Sequence, residues 1–356
     1  MANLKLRDRD GILTSEGLVF RVFGYSHPPN AYICDAEYAN EKIFKSKDPR
    51  APRTGGNQSF YKFYDDEGLK FVFKNYPKYI IRHQMLDQDI LGINEADIEQ
   101  ARKPEERLQE LIKAGPNDEL EDATFRVLAT VMDNSRTMSK NFGVFGSMLH
   151  GFHHPKFSDI DLLVYGKEEI IQVRNTLADL YNDSSSGFSN EFQTDETMKG
   201  KFWRFKNLTV EEFVWHQKRK LIYGLYDDRL SGRKIKAEFE PVKKWSEIAS
   251  EYDPQAKIKR KGWVRLIAKV TDDSDGPFIP SIYGIIPIEV VNGPEEAAKA
   301  TRIISYMEEF RLQVQEDEEI SVEGTLEEVV SKNGSFHQIT LTYCPRYYEQ
   351  YLKTLQ

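Results

Sequence analysis

The spacing of hydrophobic positions changes twice along the chain of 356 residues. Over residues 1–92, short apolar runs such as GLVFRVFGY, NAYICDAEYA and YKFYDDEGLKFVFKNY alternate with turn residues and with the polar segment KSKDPRAPRTGGNQS. Short apolar runs separated by turn residues are typical of β-strands joined by loops. We therefore predict a β-rich N-terminal module over residues 1–92, with the polar segment as a loop.

Helical spacing begins near Glu95. The segments EADIEQARKPEERLQELIKAG and DELEDATFRVLATVMDNSRTMSK place apolar residues on one face, which predicts two helices. NFGVFGS and SDIDLLVYG then predict two strands, KEEIIQVRNTLADLY an amphipathic helix, TVEEFVWHQKRK another helix, and LIYGLYDDRLSGRKIKAEFEPV a hairpin. This order predicts a central domain over residues 93–250, with a mixed sheet and helices.

The last hundred residues return to strand patterning. GWVRLIAKVT, FIPSIYGIIPIEVV, RIISYMEEF, EEISVEGTLEEVV and SFHQITLTY are five short β-like segments, as in a small barrel of the OB kind. We predict this barrel over residues 256–356. The expected fold class is therefore α+β, with a β-rich module on each side of the central domain.

Composition narrows the class of protein. An apolar fraction of 40% and an aromatic fraction of 12% favour an ordered globular chain, while a net charge of −8 argues against indiscriminate nucleic-acid binding. Two cysteines, Cys34 and Cys344, are too few for a disulfide framework. Because the sequence lacks both a membrane-length apolar run and a signal-peptide core, we expect a cytoplasmic protein that does not act in a membrane.

The candidate chemistry lies in GSMLHGFHHPKFSDIDLLVYG, residues 146–166. Alternate side chains of a strand share a face, so Asp159 and Asp161 point the same way. Two adjacent carboxylates repel each other unless a cation neutralises them, and Mg²⁺ prefers such oxygen ligands together with phosphates and water. Gly146 and Ser147, at a predicted strand–helix junction, suit an anion because glycine permits close approach. Metal and triphosphate are therefore expected to meet here.

A glycine–serine pair after a strand, followed by Asp-hydrophobic-Asp in the next strand, resembles the nucleotidyltransferase superfamily, which includes DNA polymerase beta and CCA-adding enzymes. The resemblance spans roughly residues 105–248, and the layout is similar to that of uncharacterised archaeal polymerase-beta-like nucleotidyltransferases. It implies a polymerase-beta-like core and a third carboxylate on a later strand, completing a site for two Mg²⁺ ions, with Mn²⁺ as a substitute. Asp159, Asp161 and Glu238 are the implied catalytic residues and metal ligands. Glu240 remains the alternative to Glu238, and most members have aspartate at this position.

The resemblance also implies a set of nucleotide contacts: Gly146, Ser147, His150, Lys156 and Ser158. Many members carry Arg or Lys a few residues after the glycine–serine pair, where this chain has His150. Lys156, or His150 when protonated, would then supply the positive charge for the triphosphate. The neighbouring His153 and His154 are interpreted as a solvated loop rather than as zinc ligands.

The predicted reaction is transfer of a nucleoside monophosphate from a magnesium-bound NTP to a hydroxyl, with release of pyrophosphate. An RNA or DNA 3′ end is the first expectation for the acceptor, because the basic and aromatic stretch KGKFWRFKN could bind a nucleic-acid strand. The same stretch fits a half-buried β-strand equally well. A protein side chain (AMPylation) or a small molecule is the second. A nucleotide-binding scaffold with a degenerate site is the third, for which His150 and Glu238 are the warning signs.

Overall fold

A computed structural model describes residues 4–55 and 58–355 and has the expected α+β composition. Contacts divide the chain into two compact units. The first comprises the described residues up to His83, Gln88–Ser189 and Gly224–Tyr252, and the second comprises Gln84–Asp87, Asn190–Tyr223 and the described residues from Asp253 onward. The division into three domains at residues 92 and 250 stays a prediction.

The first unit begins with a largely antiparallel eight-stranded sheet. Its strands are β1 (Gly11–Leu13), β2 (Leu18–Val22), β3 (Ala31–Asn40), β4 (Pro52–Gly55), β5 (Gln58–Lys62), β6 (Ile80–His83), β7 (Gln88–Asn94) and β8 (Gln100–Arg102). The order is β4-β5-β3-β2-β1-β8, and β7 pairs with both β3 and β6. This sheet forms one of the β-rich flanks that the strand pattern predicted.

Two local predictions in this region were wrong. Part of the polar segment forms β4, because its backbone pairs with β5 in a hairpin. Part of the predicted strand YKFYDDEGLKFVFKNY is instead helix α1 (Glu67–Asn75), which buries Val72 and packs Gly68 against the backbone of Ala36. Tertiary packing thus outweighed the short-range pattern.

The rest of the first unit surrounds a five-stranded mixed sheet of order β11-β12-β13-β10-β9. Its strands are β9 (Phe142–Val144), β10 (Ile160–Tyr165), β11 (Phe188–Asn190), β12 (Tyr223–Asp228) and β13 (Arg233–Val242). Strand β10 is parallel to β13 and antiparallel to β9. The helices are α2 (Pro104–Ala114), α3 (Glu119–Asn134), α4 (Gly146–His150) and α5 (Lys167–Asn182). These elements appear in the predicted order.

The first helix of this region is shorter than its periodicity indicated. It was expected from Glu95, but α2 begins at Pro104 and is preceded by β8. Lys103 has extended backbone angles, as residues before proline prefer, and proline is well suited to the first turn of a helix. Proline therefore sets the start of α2.

The second unit contains helix α6 (Val210–Lys220) and a closed ring of strands. The strands of this unit are β14 (Lys257–Asp275), β15 (Ser281–Asn292), β16 (Ala300–Ser305), β17 (Glu319–Ser331), β18 (Gly334–Leu341) and β19 (Tyr351–Thr354). Strand β14 pairs with both β15 and β17, which closes the ring β14-β15-β16-β18-β17. The β16–β18 pairing is parallel and the others are antiparallel.

The basic and aromatic stretch packs against this ring. Phe205 is buried in its core, and the Trp203 indole packs beside it while donating a hydrogen bond to the Leu208 carbonyl oxygen at 2.7 Å. Phe202 is 87% exposed. Two of the three aromatic side chains are therefore occupied by packing and are not presented for base stacking.

Candidate active site

Three acidic residues meet at one edge of the mixed sheet. Asp161 lies in β10, the exposed Asp159 directly precedes that strand, and Glu238 of β13 is the register partner of Asp161. Because paired residues of neighbouring strands point to the same face, the Asp161 and Glu238 side chains lie side by side. The residues selected from the sequence are thus brought together by the parallel β10–β13 pairing.

This arrangement concentrates negative charge around Asp161. The pKa of Asp161 is raised to about 7, chiefly by burial and also by the carboxylates of Asp159, Glu240 and Glu37, while the Lys62 ammonium opposes the shift. Burial disfavours an ionised carboxyl, and neighbouring anions add to the cost. A carboxyl in these surroundings is protonated more easily than usual, and a bound cation would keep it ionised.

Gly146 fits directly against this carboxylate. Its φ of +59° lies in the left-handed region, and a Cβ there would be 2.6 Å from Asp161 Oδ2. The Phe145 N–H donates to the Asp161 carbonyl oxygen at 3.1 Å, which fixes the start of α4 to β10. Ser147 follows in the first turn of α4 and is buried. Glycine is therefore required here both by backbone conformation and by lack of space.

The two candidate glutamates of β13 have different surroundings. Glu240 is buried and forms an ion pair with the fully buried Arg9 at 2.6 Å. Glu238 is half-buried and lies opposite Asp161. Glu240 thus has a cationic partner from the N-terminal segment and acts on the pKa of Asp161, whereas Glu238 is the register partner of Asp161.

The remaining predicted nucleotide contacts have distinct positions. His150 is buried, and its Nδ1 accepts a hydrogen bond from Arg102 Nη1 at 3.1 Å. Burial lowers its pKa, with Glu37 opposing that shift, so the charged form is disfavoured. Lys156 is exposed on a turn. Ser158 Oγ accepts from the His154 N–H at 2.9 Å.

A side chain of β13 forms hydrogen bonds with the loop that precedes Asp159. Arg233 donates to the carbonyl oxygens of Pro155 at 2.8 Å and Ser158 at 2.9 Å. Because Arg233 and Glu238 belong to the same strand, this contact couples the position of the loop to that of the third carboxylate. No sequence motif indicated this role for Arg233.

His153 differs from the solvated residue that we expected. Its Nε2 lies 2.9 Å from Asp118 Oδ2 and 3.7 Å from Glu121 Oε1, and its side chain is largely buried. The ligand atoms of these three residues are close enough to share a cation. However, Asp118 caps α3 by accepting from two backbone N–H groups, and Glu121 accepts from Asn117, so the cluster is explained by hydrogen bonds.

Several residues near the site come from the N-terminal sheet and were missed in the sequence. Glu37, Tyr38 and Lys62 all interact electrostatically with the Asp161 region or with each other. They lie about a hundred residues before Asp161, on strands β3 and β5. Their alternation with apolar residues resembled that of any half-buried strand, so no local signal marked them.

Residues 127–244 match the family model of the nucleotidyltransferase domain, so this part of the chain is similar to that class of domain. The class comprises transferases that move a nucleoside monophosphate from an NTP. Over 361 aligned positions the chain is 28% identical to a Methanocaldococcus jannaschii protein named uncharacterized protein MJ1086. The alignment covers 98% of this chain and 99% of that relative.

No solved structure matches the chain. Among the residues that the structure describes, no helix combines the length and the apolar character needed to span a bilayer.

Proposed function

We propose that the chain transfers a nucleoside monophosphate from a magnesium-bound NTP to a hydroxyl acceptor. The acceptor oxygen bonds to the α-phosphorus, the bond from that phosphorus to the bridging oxygen of the β-phosphate breaks, and pyrophosphate leaves. The proposal depends chiefly on one observation: Asp161 and Glu238 are register partners on parallel strands, and Gly146 packs against the Asp161 carboxylate.

The residues at this site suit Mg²⁺. Asp159, Asp161 and Glu238 offer carboxylate oxygens, which Mg²⁺ prefers, and the anions crowded around Asp161 call for a cation. When bound, Mg²⁺ would neutralise phosphate charge and lower the pKa of the acceptor hydroxyl. The glycine at position 146 lets the start of α4 pack directly against the Asp161 carboxylate, and the Arg233 contacts hold the loop that carries Asp159.

An RNA or DNA 3′ end is the first candidate acceptor. The ring order β14-β15-β16-β18-β17 with one parallel pair is that of a five-stranded Greek-key barrel, which supports an OB-like assignment for the second unit. Barrels of this kind commonly bind oligonucleotides. The polymerase-beta-like character of the core is proposed on the strand–helix–strand order around Gly146.

A small polar molecule is the second candidate acceptor. A pocket of about 210 Å³ in the first unit is lined by charged residues that include Arg21, Glu37, Lys62 and Asp65. Glu37 and Lys62 both act on the pKa of Asp161, which places the pocket near the carboxylates. A pocket of this polarity and size suits a small charged substrate better than a polymer.

Incubation with α-phosphate-labelled NTPs, Mg²⁺ and separate RNA, DNA, protein and small-molecule acceptors tests the proposal. Asp161→Asn and Glu238→Gln are expected to lower transfer at least about 100-fold, because each removes charge where the transition state needs it. Asp179→Asn, an exposed carboxylate on α5, is the matched control and should retain activity. Label on no acceptor, or full activity in Asp161→Asn, would contradict the proposed function. Nucleotide binding without transfer would indicate a degenerate site.

A further inference from the structure

The N-terminal sheet packs on the segment that follows Gly146 and Ser147. The Phe60 ring stacks on Phe152 with centroids 4.4 Å apart, and the Tyr38 ring meets Phe152 edge-on at 5.4 Å. A Cβ on Gly55 would lie 2.7 Å from the Gly151 carbonyl oxygen. Strands β3, β4 and β5 therefore form a wall against the end of α4.

Lys62 lies on the face of this wall that is turned towards the end of α4. It is two residues after Phe60 on β5 and is the register partner of Tyr38 on β3. Residues in these relations share a face of the sheet, so the Lys62 side chain projects on the same side as the two rings that contact Phe152. Its position is therefore set by strand pairing and packing, not by a mobile loop.

The Lys62 ammonium has room for a ligand. The residue is half-buried and lines the pocket of about 210 Å³. Its ammonium forms no ion pair with any residue in the described part of the chain. Arg21, which also lines the pocket, is already paired with Asp35 at 3.2 Å. A half-buried cation without a paired carboxylate is suited to an anionic ligand.

Lys62 also has a link to the end of α4, since Glu37 lines the same pocket and its Oε2 lies 3.7 Å from His150 Nε2. His150 occupies the position after the glycine–serine pair where many members carry a cation, and it is buried with a lowered pKa, while Lys156, the other candidate, is exposed on a turn. A positive charge for the phosphates is thus needed from elsewhere in the unit.

We propose that Lys62 contacts the triphosphate of the bound nucleotide, so that the N-terminal sheet completes the nucleotide site. This inference rests on the proposed function. It means that residues 127–244 do not contain the whole substrate site, and that a structural module appended before the domain supplies one of its phosphate contacts.

The test compares Lys62→Ala, Lys62→Arg and wild type in the full chain. Loss of one charge-assisted contact predicts a KM for the magnesium–NTP about 10- to 100-fold higher in Lys62→Ala, with a much smaller change in kcat. Inhibition by inorganic pyrophosphate should weaken by a similar factor, whereas inhibition by the nucleoside should not change. Lys62→Arg should restore most of the affinity because it keeps the charge.

The controls separate this inference from the function it rests on. Lys42→Ala removes an exposed lysine just after β3 and should leave KM unchanged. If wild type transfers label and Asp161→Asn does not, yet Lys62→Ala keeps the wild-type KM and pyrophosphate inhibition, the Lys62 assignment is wrong while the function stands. A raised KM in Lys156→Ala with none in Lys62→Ala would also overturn it. If wild type neither binds nor transfers NTP, both fail.

Discussion

Replacement of Gly146 by alanine gives a sharp test of the site geometry. The residue has φ of +59°, and the added Cβ would lie 2.6 Å from Asp161 Oδ2. Ordinary contact between such atoms is about 3.5 Å, so the carboxylate or the start of α4 must move by about 1 Å. A displacement of about 1 Å in a catalytic group lowers turnover by about 100-fold. We expect that loss in Gly146→Ala.

Gly151→Ala is the matched control. Gly151 has φ of +67°, and no described heavy atom lies within 4 Å of where its Cβ would be. Left-handed backbone costs alanine about 1–2 kcal/mol, partly offset by about 0.4–1 kcal/mol from the restricted unfolded chain. Gly151→Ala should therefore lose only a small amount of unfolding free energy and keep its activity, whereas Gly146→Ala, which must also displace the carboxylate or the start of α4, should lose more stability and its activity.

The assay is kcat/KM for labelled nucleotide transfer, with urea unfolding of the same samples. Mn²⁺ affinity, measured by electron paramagnetic resonance, provides a readout independent of turnover and should weaken in Gly146→Ala alone. Equal kcat/KM and equal Mn²⁺ affinity in the two variants would show that Gly146 does not position the Asp161 carboxylate.

Two further predictions concern stability. Arg9→Met leaves the Glu240 carboxylate buried without its partner and removes the guanidinium 3.7 Å from the buried Asp8 carboxylate, so the free energy of unfolding in urea should fall by about 3–5 kcal/mol. Adding Glu240→Leu should recover the part that comes from Glu240; no recovery would mean that the Arg9–Glu240 pair is not the cause. Burial lowers the pKa of His216 to about 3, so below pH 6.5 the unfolded chain takes up a proton that the folded chain does not. Stability should decline as the pH falls from about 6.5 towards 3, and His216→Gln should reduce that slope in thermal unfolding; an unchanged slope would refute the assignment.

The residues of the glycine–serine and Asp-X-Asp motifs could be identified from the sequence because their signals are local. Strand alternation places Asp159 and Asp161 on one face, and a glycine before a short helix marks a special backbone angle. The capping residues of α6 are equally local: Thr209 and Glu212 form a capping box at its start. Such features depend on neighbours within a few residues, so they can be recognised in the sequence without knowledge of the fold.

The helix and loop errors in the N-terminal sheet have the opposite cause. Helix α1 and strand β4 exist because they pack against, or pair with, residues distant in sequence. The start of α2 has a different, local cause, because Pro104 sets the first turn and the preceding residues are not helical. Hydrophobic periodicity alone does not show which distant segment a strand or helix will pair with or pack against.

The sequence by itself determined the order of elements around the mixed sheet, the α+β class and the acidic residues that lie beside Gly146, since each follows from local periodicity and residue chemistry. Only the tertiary structure decided that Asp161 lies opposite Glu238, that Arg9 is paired with Glu240, and that Lys62 lies opposite Tyr38. These relations join segments many residues apart. Their register is fixed by burial of whole strand faces and by compensation of buried charge, which no short stretch of sequence encodes.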